Sequence, residues 1–341
     1  MYVSIRISLI GMENLSNKLN ILVERMKSLQ TTFYEEQGVN DLWSNSKVYE
    51  IIIANGLSHN LIPGHSGSRD AIDNNKIEYE YKHFKKLSSN HSWTFNDYSE
   101  NTIKGLIDNE YRLIFAHIND ENYPPKFDWY YQIEGIDIGN YLAEATKSIK
   151  NNRKMINISE NQIKRFLESS EKIFVKNNYV QKYQMYLKEI FDITEALEKL
   201  TGVKNSLTSN KFWEIFIAYQ LGHKVNSEQG GRKGAHDAYD EFGNSYEYKV
   251  SKSFSWNFQD ISNEVLDKYY NDAAIILAVV DKENFLVKAI FSVKPQIAVP
   301  FIKEKLKTKI NKLKIQNKEI RRKQISLSKG DLKFLQSSKL F

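Results

Sequence analysis

Cysteine is absent from this 341-residue chain, which excludes disulfides and every thiolate metal site. Proline is scarce at 5 residues and glycine stands at only 15, so collagen-like and linker-like architectures are excluded as well. No apolar run reaches about 18 residues, and Met1 to Ile10 lacks the apolar core and small-residue cleavage site of a signal peptide. Nor is there a glycine-rich phosphate loop of the ATPase kind, so no nucleotide cofactor is expected. These absences point to a soluble, cytoplasmic chain with no membrane partner.

What is present is enough apolar matter for two cores, with hydrophobic residues at 41% and aromatics at 13%. A net charge of +6 and a pI near 9.0 favour an anionic partner. The chain also contains itself twice. Lys47-Val48-Tyr49-Glu50-Ile51-Ile52-Ile53-Ala54 recurs as Lys211-Phe212-Trp213-Glu214-Ile215-Phe216-Ile217-Ala218, and His59 recurs as His223. Each copy reaches an Asp and a Tyr-Glu-Tyr-Lys, namely Asp73 with Tyr79 to Lys82 and Asp237 with Tyr246 to Lys249. Each then continues into a Ser-Trp-x-Phe-x-Asp-x-Ser box, Ser92 to Ser99 and Ser255 to Ser262.

Apolar residues at three- and four-residue steps predict an amphipathic helix over Glu13 to Tyr34 and a counterpart over Tyr183 to Leu197, stopped by Gly38 and Gly202. A second helix carries Lys47 to Leu57, or Lys211 to Leu221. A Gly- and Ser-rich turn, a hairpin, a helix and an apolar strand follow, at Leu113 to Ile118 and Ile275 to Val280. A three-residue length difference between the copies is assigned to the hairpin turn. The expected fold is α/β, with two tandem domains at 1–172 and 173–341, each a mixed sheet flanked by helices.

Glu80 and Lys82 are two apart on a strand and share a face of the sheet, as do Glu247 and Lys249. A turn centred on Phe242 sets Asp237 opposite Glu247, with Cβ atoms on the order of 5 Å apart. Two such carboxylates repel unless a cation joins them, and hard oxygen ligands suit Mg²⁺. With lysine beside the metal, the expected chemistry is phosphodiester hydrolysis.

At these residues the sequence resembles the PD-(D/E)xK nuclease superfamily, of which many type II restriction endonucleases are members. The resemblance implies two restriction-endonuclease-like domains. Their sites would be Asp73, Glu80 and Lys82 with Glu50 from the preceding helix, and Asp237, Glu247 and Lys249 with Glu214. Metal ligation would fall to Asp73, Glu80, Asp237 and Glu247. Two departures stand out: neither Asp follows a proline, and only six residues separate Asp73 from Glu80, against nine in the second copy. Asp70 is therefore an alternative ligand, since a three-residue turn at Asn74 to Lys76 pairs it with Glu80.

Arg69, Lys85 and Lys86 lie near one hairpin and Arg232, Lys233 and Lys252 near the other, as a DNA cleft requires. Ser92 and Ser255 open the Trp boxes, which read either as core strands with helix N-caps at Ser99 and Ser262 or as phosphate-holding elements. The run from Lys303 to Lys323 reads first as a solvated helix face and second as a phosphate-tracking arm. His59 and His223 read as packing residues, and Glu50 and Glu214 also as partners of Lys47 and Lys211 one turn away. The expectation is a Mg²⁺-dependent type II restriction endonuclease acting on double-stranded DNA, one active site per repeat, as a monomer or homodimer. Its rivals are a nicking or repair endonuclease with one active repeat, and a non-catalytic nucleic-acid-binding protein.

Overall fold

A computed structural model describes residues 2–40, 42–43, 47–63, 69–149, 154–166, 171–176, 182–204, 206, 211–227, 236–315 and 323–341. The first repeat runs α1 (Tyr2–Gln37), α2 (Lys47–Leu57), β1 (Asn60–Leu61), β2 (Ala71–Ile72), β3 (Glu78–Lys85), β4 (Ser92–Tyr98), α3 (Glu100–Asp108), β5 (Tyr111–Asn119), β6 (Lys126–Glu134), α4 (Gly135–Ala145), β7 (Lys154–Ser159), α5 (Glu160–Phe166) and β8 (Ile173–Phe174). The second runs α6 (Gln184–Thr201), α7 (Lys211–Gln220), β9 (Lys224–Val225), β10 (Ala238–Tyr239), β11 (Ser245–Ser251), β12 (Ser255–Phe258), α8 (Asn263–Lys268), β13 (Ala274–Asp281), β14 (Leu286–Val293), α9 (Pro295–Ile315), β15 (Ile325–Ser328) and β16 (Ser338–Lys339).

Each repeat builds a six-stranded sheet, ordered β1-β2-β3-β5-β6-β8 in the first and β16-β14-β13-β11-β10-β9 in the second. Within each sheet one pair is parallel, β3 with β5 and β11 with β13, and every other pair is antiparallel. Parallel neighbours need a crossover, and β4 with α3, or β12 with α8, supplies it. Two mixed α/β sheets flanked by helices are what the hairpin-helix-strand order of the sequence predicts. Among the described residues, no helix is long and apolar enough to cross a membrane.

The central strands β5 and β13 are buried along nearly their whole length, consistent with their continuous apolar sequence. α2 and α7 are rich in β-branched and aromatic residues, which are mediocre helix formers. Burial decides their conformation, because Ile51, Ile53, Ile215 and Ile217 are fully enclosed. Gly38 and Gly202 end α1 and α6 at φ 68° and 75°, a left-handed conformation that closes a helix without Cβ strain.

The Trp boxes are core strands. β4 pairs with β7 and β12 with β15 in two-stranded ribbons. Trp93, Phe95, Trp256 and Phe258 are fully buried, and the indole N–H groups donate to the carbonyls of Ala116 and Ala278, both at 2.8 Å. Ser99 and Ser262 cap α3 and α8 by accepting from Thr102 N and Val265 N.

Two compact units emerge, one formed by Thr32–Phe191 and the other by Met1–Thr31 together with Asp192–Phe341. In the latter, Gln30 donates to the carbonyls of Lys282 and Glu283 at the β13–β14 turn. In the former, Tyr183 ahead of α6 donates its N–H to Asn55 of α2 and accepts at its hydroxyl from Leu61 N. The segment leading into each repeat thus packs within the unit built on the other repeat's sheet.

The hairpin turns correct the placement of the length difference. Asp73 N bonds Ile77 O in one copy and Asp240 N bonds Asn244 O in the other, so the two turns have the same length. The additional residues of the second copy lie upstream, between β9 and Asp237. Much of that segment is outside the described residues, as are the Gly- and Ser-rich turn residues 64–68 and 228–231.

Candidate active site

The hairpin register decides which carboxylates meet. Ala71 pairs with Tyr79 and Ala238 with Tyr246, which sets Asp70 across from Glu80 and Asp237 across from Glu247. The backbone contacts of the two aspartates are the same. Asp70 N donates to Tyr79 O at 2.9 Å, and its Oδ2 accepts from Tyr81 N at 2.6 Å. Asp237 N donates to Tyr246 O at 2.9 Å, and its Oδ2 accepts from Tyr248 N at 2.7 Å.

Asp73 is not part of this cluster. Its Oδ1 accepts from Asn75 N at 2.8 Å and Ile77 N at 2.9 Å, and its Oδ2 from the Tyr79 hydroxyl at 3.2 Å. Asp240 does the same at the second turn, accepting from Phe242 N, Asn244 N and the Tyr246 hydroxyl. Both are turn-closing aspartates whose lone pairs the turn itself fills. The counterpart of Asp237 is therefore Asp70, the alternative that the three-residue turn suggested. Asp73 and Asp240 share one spacing to the tyrosine that follows, and that signal identifies them as partners.

Glu80 is held by Lys82 Nζ at 2.6 Å, and Glu247 by Lys249. Glu50 pairs with Lys47, while Glu214 Oε2 lies 3.3 Å from Lys211 Nζ in a buried setting without an aligned hydrogen bond. These helix glutamates serve both readings, since each also acts on the aspartate of its hairpin. Burial, then Glu80 and Glu50, push the Asp70 carboxyl up to about 8. Burial, then Glu247 and Glu214, drive Asp237 well above the carboxylate range.

Both motif lysines are held protonated. Burial alone would lower them, but Glu80, Tyr98 and Asp70 outweigh it at Lys82, as Glu247, Tyr269 and Asp237 do at Lys249. Their ammonium groups lie 5.6 Å from the Phe95 and Phe258 rings of the Trp boxes. The second aromatic near each lysine comes from different elements, Tyr98 of β4 at 5.9 Å and Tyr269 after α8 at 5.8 Å.

His59 and His223 have a role beyond packing that sequence reasoning missed. His59 Nδ1 bonds the Tyr81 hydroxyl at 2.9 Å and its ring lies 4.3 Å from that of Tyr79. His223 repeats both contacts, at 2.7 Å to Tyr248 and 4.2 Å from Tyr246. The tyrosines alternate with Glu and Lys, so each histidine braces the back of the strand whose front carries the site. The recurrence of His with Tyr-x-Tyr was the available signal.

Of the remaining sequence candidates, Lys85 lies 3.9 Å from Asp120 and Lys86 bonds Glu121 at 2.7 Å. Arg69 stacks on Tyr111 and approaches Glu80 to 4.0 Å. Ser92 donates to Asn90, Ser255 accepts at its carbonyl from the Ser251 hydroxyl, and Lys252 is exposed at the strand end. Arg232 and Lys233 lie outside the described residues.

Among the described residues, no three His, Asp or Glu side chains converge into a ready-made metal cage. What each repeat offers is a pair of facing carboxylates with a third nearby. That donor set suits Mg²⁺, which is commonly bound through one or two carboxylates and keeps several waters. The raised Asp70 and Asp237 carboxyls are in a setting a cation relieves. No protein-family model and no curated protein matches the chain.

Proposed function

We propose that the protein is a Mg²⁺-dependent endonuclease of the type II restriction kind, with one phosphodiester-cleaving centre in each repeat. One observation carries this reading. The same Asp, Glu and Lys constellation is built twice, with the same backbone contacts on each aspartate and the same histidine bracing behind. Facing carboxylates of which burial and the neighbouring acids push one towards protonation are a setting in which a bound cation replaces the proton, and such perturbed groups cluster at functional sites. The motif's resemblance to PD-(D/E)xK nucleases and the +6 charge point the same way.

In this reading Asp70 with Glu80, and Asp237 with Glu247, hold the cation, and Glu50 and Glu214 add negative potential from the helix side. Bound magnesium would supply Lewis-acid stabilisation of the phosphate charge and an ordered water. Lys82 and Lys249, being protonated, donate to a phosphate oxygen or to that water rather than act as the base. The reaction is hydrolysis: the water oxygen bonds to phosphorus and gives up a proton to solvent, one bridging P–O bond breaks, and the departing oxygen takes up a proton from solvent, so protons balance overall. Double-stranded DNA is the substrate and cleavage is one strand per repeat.

The test uses supercoiled plasmid and Mg²⁺. Wild-type protein is expected to linearise the plasmid, Glu80→Ala and Glu247→Ala each to stop at nicked circles, and the double variant to do nothing. Double-strand breaks from both single variants would contradict one centre per strand. Salt-sensitive DNA binding with no cleavage in Mg²⁺ or Mn²⁺ would select the non-catalytic binder.

A further inference from the structure

The residue immediately before each site aspartate differs between the repeats, and so does its surroundings. Arg69 places its guanidinium carbon 3.4 Å from the centre of the buried Tyr111 ring, with Nη1 4.0 Å from Glu80 Oε2. Its side chain is 18% exposed, so the residue is not wholly sealed from solvent beside the carboxylate pair. In the second repeat His236 takes this position and sets its Nδ1 against a carboxylate oxygen of the buried Asp272. Strand register aligns Arg112 with Ala274, opposite Tyr79 and Tyr246. The counterparts of Tyr111 and Asp272 are thus Ala273, which offers no ring, and Glu110, which is exposed. The first centre therefore has a cation directed at it. At the matching position of the second, the His236 imidazole is turned aside onto an acid.

Resting on the two-centre nuclease reading, we propose that Arg69 contacts the substrate phosphate in the first repeat only, making the first centre the faster of the two. A guanidinium presents several N–H donors in one plane and fits two non-bridging phosphate oxygens at once. Stacking on Tyr111 fixes that plane before substrate arrives, so little ordering is left to be done in the transition state. The bonds made and broken are those of hydrolysis. Arg69 donates hydrogen bonds to the oxygens that gain charge and transfers no proton.

Single-centre proteins isolate the two rates. Glu247→Ala leaves the first centre and Glu80→Ala the second, and Glu247→Ala is expected to nick plasmid about tenfold faster or more. Adding Arg69→Ala to Glu247→Ala should slow nicking by a similar factor, with Arg69→Lys intermediate because it keeps the charge and loses the fork. Thermal melting of each variant separates these effects from misfolding. Wild-type protein should accumulate nicked circles before linear product. Equal rates in the two single-centre proteins, or indifference of Glu247→Ala protein to Arg69→Ala, would overturn the role of Arg69 while leaving the nuclease intact. Absence of nicking by every protein, wild type included, would bring down the nuclease reading itself, and this inference with it.

Discussion

Asp70 and Asp73 are close neighbours in sequence, yet one faces Glu80 and the other closes a turn. The difference is set by where the backbone amides lie: Asp73 is filled by Asn75 and Ile77, whereas Asp70 is left with a single amide from Tyr81 and a carboxylate opposite. Protonation should report this. The folded-state value of Asp70, about 8, exceeds that of an unfolded aspartate, so the folded protein binds the extra proton and metal-free stability falls as pH rises from about 4 to about 8. Asp70→Asn should flatten that decline in melting temperature, whereas Asp73→Asn should leave it. Opposite in sign is buried His59, lowered to about 4 by burial. There the unfolded state binds more protons, so stability is lost on acidification from about 6.5 towards 4, by up to about 3 kcal/mol. Side-chain parity made Glu80 and Lys82 legible from sequence, because a strand has only two faces. A constant offset between the copies aligns Asp73 with Asp237, and the loop ahead of the site aspartate breaks that offset because it is longer in the second copy.

At the scale of elements, the two hairpins share one turn geometry and differ in the residue that takes its left-handed position. Lys76 occupies the turn at φ 65°, where the second copy has Gly243 at φ 82°. A non-glycine residue in that region carries a strain of roughly 1 kcal/mol. Lys76→Gly should therefore raise stability by up to about 1 kcal/mol, and Gly243→Lys should lower it by a similar amount, as read by chemical denaturation. The helix, hairpin and central strand of each repeat were readable because apolar periodicity and turn residues are local signals. The pairing of each Trp box with the tail of its own repeat was not, since β4 with β7 and β12 with β15 are contacts between distant segments. Nor could an amphipathic pattern in α1 name its partner: Leu19, Leu22, Val23 and Met26 announce burial but not against which sheet.

Over the whole molecule the duplication gives two carboxylate–lysine clusters on one kind of scaffold, with different charges around them. The lysine-rich α9 lies in the second repeat, and part of its charge is engaged internally. Lys305 bonds Ser326 O and Asp331, Lys309 bonds Gln324 O and Lys303 bonds Asp267. Residues 316–322 of that basic run lie outside the described residues. DNA affinity should fall steeply with salt if the +6 protein binds through phosphates, and Lys82→Ala should reduce the slope of log K against log salt by about 1. An unchanged slope would remove this lysine from the phosphate contacts. Cation binding between the facing carboxylates is the central claim. Counting Mn²⁺ ions per chain by electron paramagnetic resonance addresses them without requiring turnover. Two ions are expected for wild type, one for Asp70→Asn or Asp237→Asn, and none for the double variant; a folded double variant that binds as many ions as wild type would contradict it.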